Sequence, residues 1–235
     1  MKKAVLFDLD GTLWDYAVGV SEAWNTVLEL HGMEPVLNVD KVHSLMGRQM
    51  DVIAALLFPE HTKEEQSALM DECAAVEHDI LARTGGTLYP GLEETLSTLA
   101  ESYALGIISN CQSGYIETFF KAHGLQKYFD DFECFGNTGF SKGENIALVV
   151  RRNGFDKAIY VGDTQGDFDS AVHAGLPFVH AAYGFGTADG AEYRISSITG
   201  LPAVAEEILF GLKLIPRRAI SEEAAGQDRA GRELR

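Results

Sequence analysis

Cysteine is scarce in this chain: three in 235 residues, Cys73, Cys111 and Cys134. The count is odd and the spacings match no zinc-binding pattern. Reduced thiols in a cytoplasmic protein are the default expectation. Cationic residues are also few, 19 Lys and Arg against 35 Asp and Glu, for a formal net charge of −16. That balance argues against nucleic acid or an anionic membrane surface as the main partner. It would repel a phosphate group too, unless a bound metal inverts the local sign. Long apolar runs are missing, and no stretch approaches the length needed to span a bilayer. The first residues do not read as a signal peptide, because the apolar run there is short and ends in acids.

The chain does have ample apolar content, 46%, and a clear change of pattern along its length. Ala4 to Phe7 is a continuous apolar run, as expected of a short strand buried on both faces of a parallel sheet. Residues 16 to 85 then read as helix throughout: 16–31, 39–46, 50–58, and a longer one capped by Thr62 and running to about Arg83. After Pro90-Gly91 strands and helices alternate. Strands are expected at 103–108, 132–135, 158–161, 178–182 and 193–195, with helices at 92–99, 114–123, 141–153, 165–174 and 201–210. This alternation predicts an α/β fold, a Rossmann-like parallel sheet with helices on both faces. The helical block interrupts it after the first strand, so residues 1–15 and 86–211 would form the core and 16–85 an inserted helical cap. Leu212 to Arg235, with six basic and four acidic residues, reads as a loose extension with no assigned function.

Three of the expected strands end in chemically useful groups. The first ends in Asp8-Leu9-Asp10-Gly11-Thr12, the second in Ser109-Asn110, the third in Gly162-Asp163, with Asp167 one helical turn further on. A chance match to the four specified residues of the first string is roughly 10⁻³ in a chain of this length. Ligands bind at the carboxyl ends of parallel strands, so these groups would gather four carboxylates, a hydroxyl and an amide in one crevice. Clustered carboxylates repel one another without a counter-ion. An oxygen-only set of this kind suits Mg²⁺, which bridges to phosphate. Ser141-Lys142-Gly143-Glu144 reads as a capping box. Lys142 would then sit in a first helical turn, where a cation opposes the helix dipole, which points to an anionic partner elsewhere.

In these motifs, their order and their rough spacing, the sequence resembles the haloacid dehalogenase superfamily of phosphatases, and within it the phosphoglycolate phosphatase-like branch. Asp8 to Thr12 looks like the first motif, Ser109-Asn110 the second, Lys142 the third, and Gly162 to Asp167 the fourth; the helical insertion resembles the C1 cap. The resemblance implies that Asp8 is a nucleophile forming an aspartyl-phosphate, and that Asp10 serves as acid and then base. Ser109 and the Asn110 amide would hold the phosphoryl oxygens, with Lys142 neutralising their charge. Mg²⁺ would sit on Asp8, the carbonyl of Asp10 and Asp163, with Asp167 a further ligand or acting through water. Thr12 would brace the loop after the first strand. Arg48, in the cap loop Gly47-Arg48-Gln49, is a candidate grip for a substrate carboxylate or second phosphate. Trp14 is expected to pack under the cap hinge, and Cys111 to be an inert small residue.

The acids Asp10, Asp163 and Asp167 argue against a metal-free dehalogenase. Val20 stands where mutase-like relatives carry a cap histidine. The expected partner is therefore a small phosphorylated metabolite, in the cytoplasm. Phosphoglycolate, a sugar phosphate, a nucleotide and pyrophosphate all remain candidates. Readings from other classes are a phosphorylatable receiver-like switch, against which the second acid and the cap speak, and an inactive binding protein. No feature marks an oligomer interface.

Overall fold

A computed structural model describes residues 1–211; the expected extension from 212 onward lies outside them. Strand β1 (Lys3–Phe7) forms because every residue from Ala4 to Phe7 can be buried, and it is. Val5 and Phe7 enter one apolar cluster, Ala4 and Leu6 the other. A strand covered on both faces needs no polar alternation, which is why the run is continuous.

Five further parallel strands join it: β4 (Ala104–Ser109), β5 (Asp131–Cys134), β6 (Lys157–Gly162), β7 (Phe178–Ala181) and β8 (Tyr193–Ile195). Their spatial order is β5-β4-β1-β6-β7-β8. The chain therefore winds outward from β1 in one direction through β4 and β5, then in the other through β6 to β8. Such a reversal leaves a crevice beyond the carboxyl end of the central strand. Helices α8 (Lys142–Asn153) and α9 (Gln165–His173) cover one face, with Ile146, Val149 and Ala171 in the smaller cluster. On the other face lie α5 (Leu92–Ala100), α6 (Tyr115–His123) and α10 (Leu201–Phe210), through Leu96, Phe119 and Leu209 among others.

Four helices stand between β1 and this second half of the sheet: α1 (Ala17–Leu30), α2 (Val39–Leu45), α3 (Met50–Leu57) and α4 (Lys63–Thr84). Thr62 caps α4 in a full capping box with Glu65, the signal that fixed its start in the sequence. Buried Trp24, Val27, Leu45, Ile53 and Leu81 join these helices to the larger apolar cluster.

The sequence reading missed a two-stranded antiparallel ribbon at the base of the insertion. Strands β2 (Trp14–Asp15) and β3 (Thr87–Leu88) pair Trp14 with Leu88 and Asp15 with Thr87. Two-residue strands carry no periodicity, so nothing in the pattern announced them. The single-turn helix α7 (Phe135–Thr138) also went unread, and it shortens the strand expected at 132–135 by its last residue.

Candidate active site

Asp8 is the first residue beyond β1, and its backbone N–H donates to the Val161 carbonyl of β6 at 2.8 Å. That bond ties the end of β1 to the end of β6, where Asp163 follows. Asp167 comes in from the first turn of α9. Ligand oxygens of Asp8, Asp163 and Asp167 all lie within 4.8 Å of one another, and all three residues are buried. Lys142, also buried, places its Nζ 2.8 Å from Asp8 Oδ1 and 2.6 Å from Asp167 Oδ1. The Ser141–Glu144 capping box is present, so the lysine is held at the helix start and reaches inward to the acids.

The hydrogen bonds divide the carboxylates into two kinds. Asp167 has both oxygens engaged: Oδ1 with Lys142, Oδ2 accepting from the Thr164 hydroxyl at 2.7 Å and from the Thr164 and Asp163 amides. Asp8 and Asp163 each keep one buried oxygen with no partner among the described residues, Asp8 Oδ2 and Asp163 Oδ1. Their other oxygens are fixed, Asp8 Oδ1 by Lys142 and Asp163 Oδ2 by the Phe185 amide at 2.7 Å. Three buried carboxylates beside one ammonium leave an excess of two negative charges when all are ionised. Burial raises the Asp8 pKa well above the carboxylate range, with Asp167 adding to the rise and Lys142 opposing it. Burial, and then Asp167, lifts Asp163 to about 7. Burial works against the charge on Lys142 as well, but Asp167 and Asp8 outweigh it and its pKa stands well above the usual amine value. Two orphaned carboxylate oxygens in a site short of two positive charges are compatible with a hard divalent cation.

Gly11 makes this convergence possible. Its φ is +82°, and a Cβ there would lie 2.3 Å from Asp163 Oδ2. Only glycine permits both the turn and the close approach.

The fourth expected carboxylate does not join the cluster. The Asp10 carboxylate points toward the cap hinge, where its Oδ1 accepts from Trp14 Nε1 and from the Tyr115 hydroxyl, each at 3.0 Å. Burial, opposed by these two donors, leaves its pKa at about 6. A carboxyl poised there is able to exchange a proton near neutral pH. So three carboxylates converge, and the second acid of the first motif stands apart on the side facing the cap.

The remaining expected site residues are spread around a cavity of about 40 Å³ between cap and sheet. Asp8, Asp10, Ser109 and Asn110 line its floor, and Arg48 is among its roof residues. Ser109 ends β4, and its hydroxyl accepts from the Cys111 amide at 3.2 Å. The Asn110 side chain donates to the Gly47 carbonyl of the cap loop at 2.8 Å. Arg48, beside it, donates through Nε to the Ser44 carbonyl at 3.4 Å. Thr12 lies off the cavity; its hydroxyl is buried without a partner, and its carbonyl accepts from the Tyr183 hydroxyl. Trp14 packs at the hinge as expected, stacked on Tyr16 and edge-on to Phe119. Burial pushes the Cys111 thiol up, in keeping with an unreactive residue.

Sequence reasoning missed Tyr115, Glu77 and the hydrogen bond that Trp14 makes to Asp10. Trp14 and Tyr115 hold Asp10, and Glu77 from α4 lines the cavity roof, nearly fully buried. Trp14 lies four residues after Asp10, a proximity that could have suggested the contact. Nothing in the spacing signals Tyr115 or Glu77.

Comparison with known proteins gives a concordant result. The sequence model of the haloacid dehalogenase-like hydrolases matches residues 5–181. A phosphoglycolate phosphatase of Rhodobacter capsulatus is 30% identical over 218 residues, spanning 88% of this chain and 92% of that protein. One from Escherichia coli K12 is 27% identical, over 78% of this chain and 82% of its own length. The crystal structure of a haloacid dehalogenase-like hydrolase from Bacteroides fragilis superposes with a TM-score of 0.75 at 25% identity, covering 86% of this chain and all of that one. With the parallel sheet, the helical insertion and the strand-end acids in place, the chain belongs to the haloacid dehalogenase-like hydrolase family.

Proposed function

We propose that this protein is a Mg²⁺-dependent phosphatase that hydrolyses a small phosphomonoester through an aspartyl-phosphate on Asp8. The observation that carries the reading is the pair of orphaned oxygens, Asp8 Oδ2 and Asp163 Oδ1, beside Lys142 and below a separately held Asp10. Asp8, Asp163 and the Asp10 carbonyl would hold the cation. When bound it supplies the positive charge that lets a phosphate dianion approach this acidic site. Asp167, its oxygens already engaged, acts through Lys142 and through water.

In the first step a carboxylate oxygen of Asp8 bonds to phosphorus and the bond from phosphorus to the leaving oxygen breaks. Asp10 gives its proton to that oxygen. In the second step Asp10 takes a proton from water as the water attacks phosphorus, and Asp8 is released. Lys142, the Ser109 hydroxyl and the Asn110 amide stabilise the phosphoryl oxygens throughout. The narrow cavity favours a small leaving group, in keeping with the names of the curated relatives. Three unpaired, buried cysteines support a cytoplasmic setting.

The test is turnover of an aryl phosphate with Mg²⁺, followed by a panel of phosphorylated metabolites. Asp8→Asn is expected to abolish turnover, and Asp10→Asn to lower it by about 10²–10⁴-fold. Full activity in Asp8→Asn would refute the nucleophile assignment. Arg48→Ala should raise KM for the metabolite turned over best by more than it raises KM for the aryl phosphate. Equal changes would remove Arg48 from recognition. A phosphorylated Asp8 that never hydrolysed would favour the switch reading instead.

A further inference from the structure

Glu77 is a carboxyl group in the middle of the long cap helix, only 3% exposed, with no cation bonded to it among the described residues. Unpaired acids are almost never buried so completely. Its Oε2 accepts from Trp24 Nε1 at 2.7 Å, which fixes the side chain without neutralising it. It lines the same cavity as Asp8 and Asp10, from the opposite wall. The cap side of that cavity is otherwise largely apolar, with Trp24, Met46, Met50 and Ile53. Glu77 and Arg48 are therefore the charged side chains the cap presents to whatever the phosphate is attached to.

Resting on the phosphatase reading above, we propose that Glu77 is a specificity-determining residue that hydrogen-bonds a hydroxyl of the leaving group and discriminates against leaving groups ending in a carboxylate. The favoured substrate class is thus a short phosphomonoester of a polyol or sugar. A hydroxyl suits this position in either protonation state, because it accepts from a carboxylic acid and donates to a carboxylate. A substrate carboxylate set against Glu77, rather than against Arg48, is disfavoured once Glu77 loses its proton, since two buried anions repel.

Burial raises Glu77 to about 8, against the hydrogen bond from Trp24. The charged and titratable groups around it are Asp8 and Asp10 across the cavity, Cys111 after β4, Tyr115 on α6, Tyr16 at the hinge, Cys73 one turn back on α4, and Arg48 on the cavity lining. The tyrosines and the cysteines are all held above their ordinary values and stay neutral near pH 8. Glu77 gains its charge as the pH rises through its raised value. Discrimination against a carboxylate therefore strengthens with rising pH.

The experiment compares kcat/KM for glycerol 3-phosphate and 2-phosphoglycolate on the full chain with Mg²⁺, from about pH 7 to about pH 9. Their ratio cancels the titrations that both reactions share. In the wild type it is expected to rise in favour of glycerol 3-phosphate by about ten-fold, and to stay flat in Glu77→Gln. Glu77→Leu should raise KM for glycerol 3-phosphate several-fold more than KM for an aryl phosphate, roughly the loss of one hydrogen bond. A flat ratio in the wild type, or an equal rise in Glu77→Gln, overturns the assignment while leaving the phosphatase intact. No turnover of any of the three esters overturns the phosphatase reading and this inference with it. The Gln variant retains an acceptor for Trp24, so the ratio decides the matter even where the Leu variant fails to fold.

Discussion

At the scale of single residues, Lys142 bears most of the electrostatic burden. Its ammonium sits between Asp8 and Asp167 with almost no solvent contact. Removing one partner of a buried charged group is costly because the others are left uncompensated, typically by about 3–5 kcal/mol. Lys142→Ala should therefore lower the unfolding free energy of the metal-free protein by that order, read as a lower midpoint of urea unfolding, and turnover with it. A surface lysine at the same helical position would change stability by only a few tenths of a kcal/mol. An unchanged midpoint would show that the two ion pairs contribute nothing to folding. The sequence offered a clue to Lys142, a cation in the first turn of a helix where the dipole disfavours it. It offered no such clue to Glu77. On α4 that residue stands among Glu64, Glu65, Glu72 and Asp79, and in sequence one acid on a helix reads like another. Only closure of the helix onto the sheet separates the buried one from its solvated neighbours.

At the scale of elements, the expected strands and helices appear with ends shifted by about a residue, because each carries its own punctuation. Glycines at 124, 154 and 211 end helices in left-handed geometry, and Ser141, Thr62 and Thr164 begin them with capping boxes. What stayed illegible is the joint between insertion and sheet. It is built from the β2–β3 ribbon and from rings that meet across the chain, with Trp14 against Tyr115 and Phe119. Contacts a hundred residues apart leave no local pattern. Gly86 belongs to this joint too: a Cβ there would lie 2.4 Å from the Trp14 ring. The tryptophan has two tasks, filling the hinge and donating to Asp10, and substitution separates them. Trp14→Phe keeps most of the apolar bulk but loses the donor, so catalysis should fall by more than stability does. Trp14→Ala should cost about 3–5 kcal/mol in unfolding free energy as well. Parallel denaturation and kinetic measurements on both variants check this; equal losses of stability would deny the packing role.

At the scale of the whole molecule, an acidic protein is built to handle an anionic substrate, and the sheet topology reconciles the two. The reversal at β1 brings the ends of β1, β4 and β6 to one crevice, and the acids collected there create a demand for a cation. A ligand that binds the folded form alone stabilises it by mass action. Millimolar Mg²⁺ should therefore raise the melting temperature, chelation should reverse the gain, and Asp163→Asn should largely remove it. A melting temperature indifferent to Mg²⁺ in the wild type would count against the metal site. The acids of the first and fourth motifs were readable because chemistry restricts which residue types can serve there. The orientation of Asp10, away from the other three, was not readable, because it depends on Trp14 and Tyr115.

The bond from the Asn110 side chain to the Gly47 carbonyl has a consequence for how the molecule operates through time. It fastens the roof to a floor residue adjacent to Ser109, over a cavity with room for only a few solvent molecules. Asn110→Ala removes that clasp while leaving the Asn110 backbone amide in place, so it is expected to loosen roof from floor without altering the acids beneath.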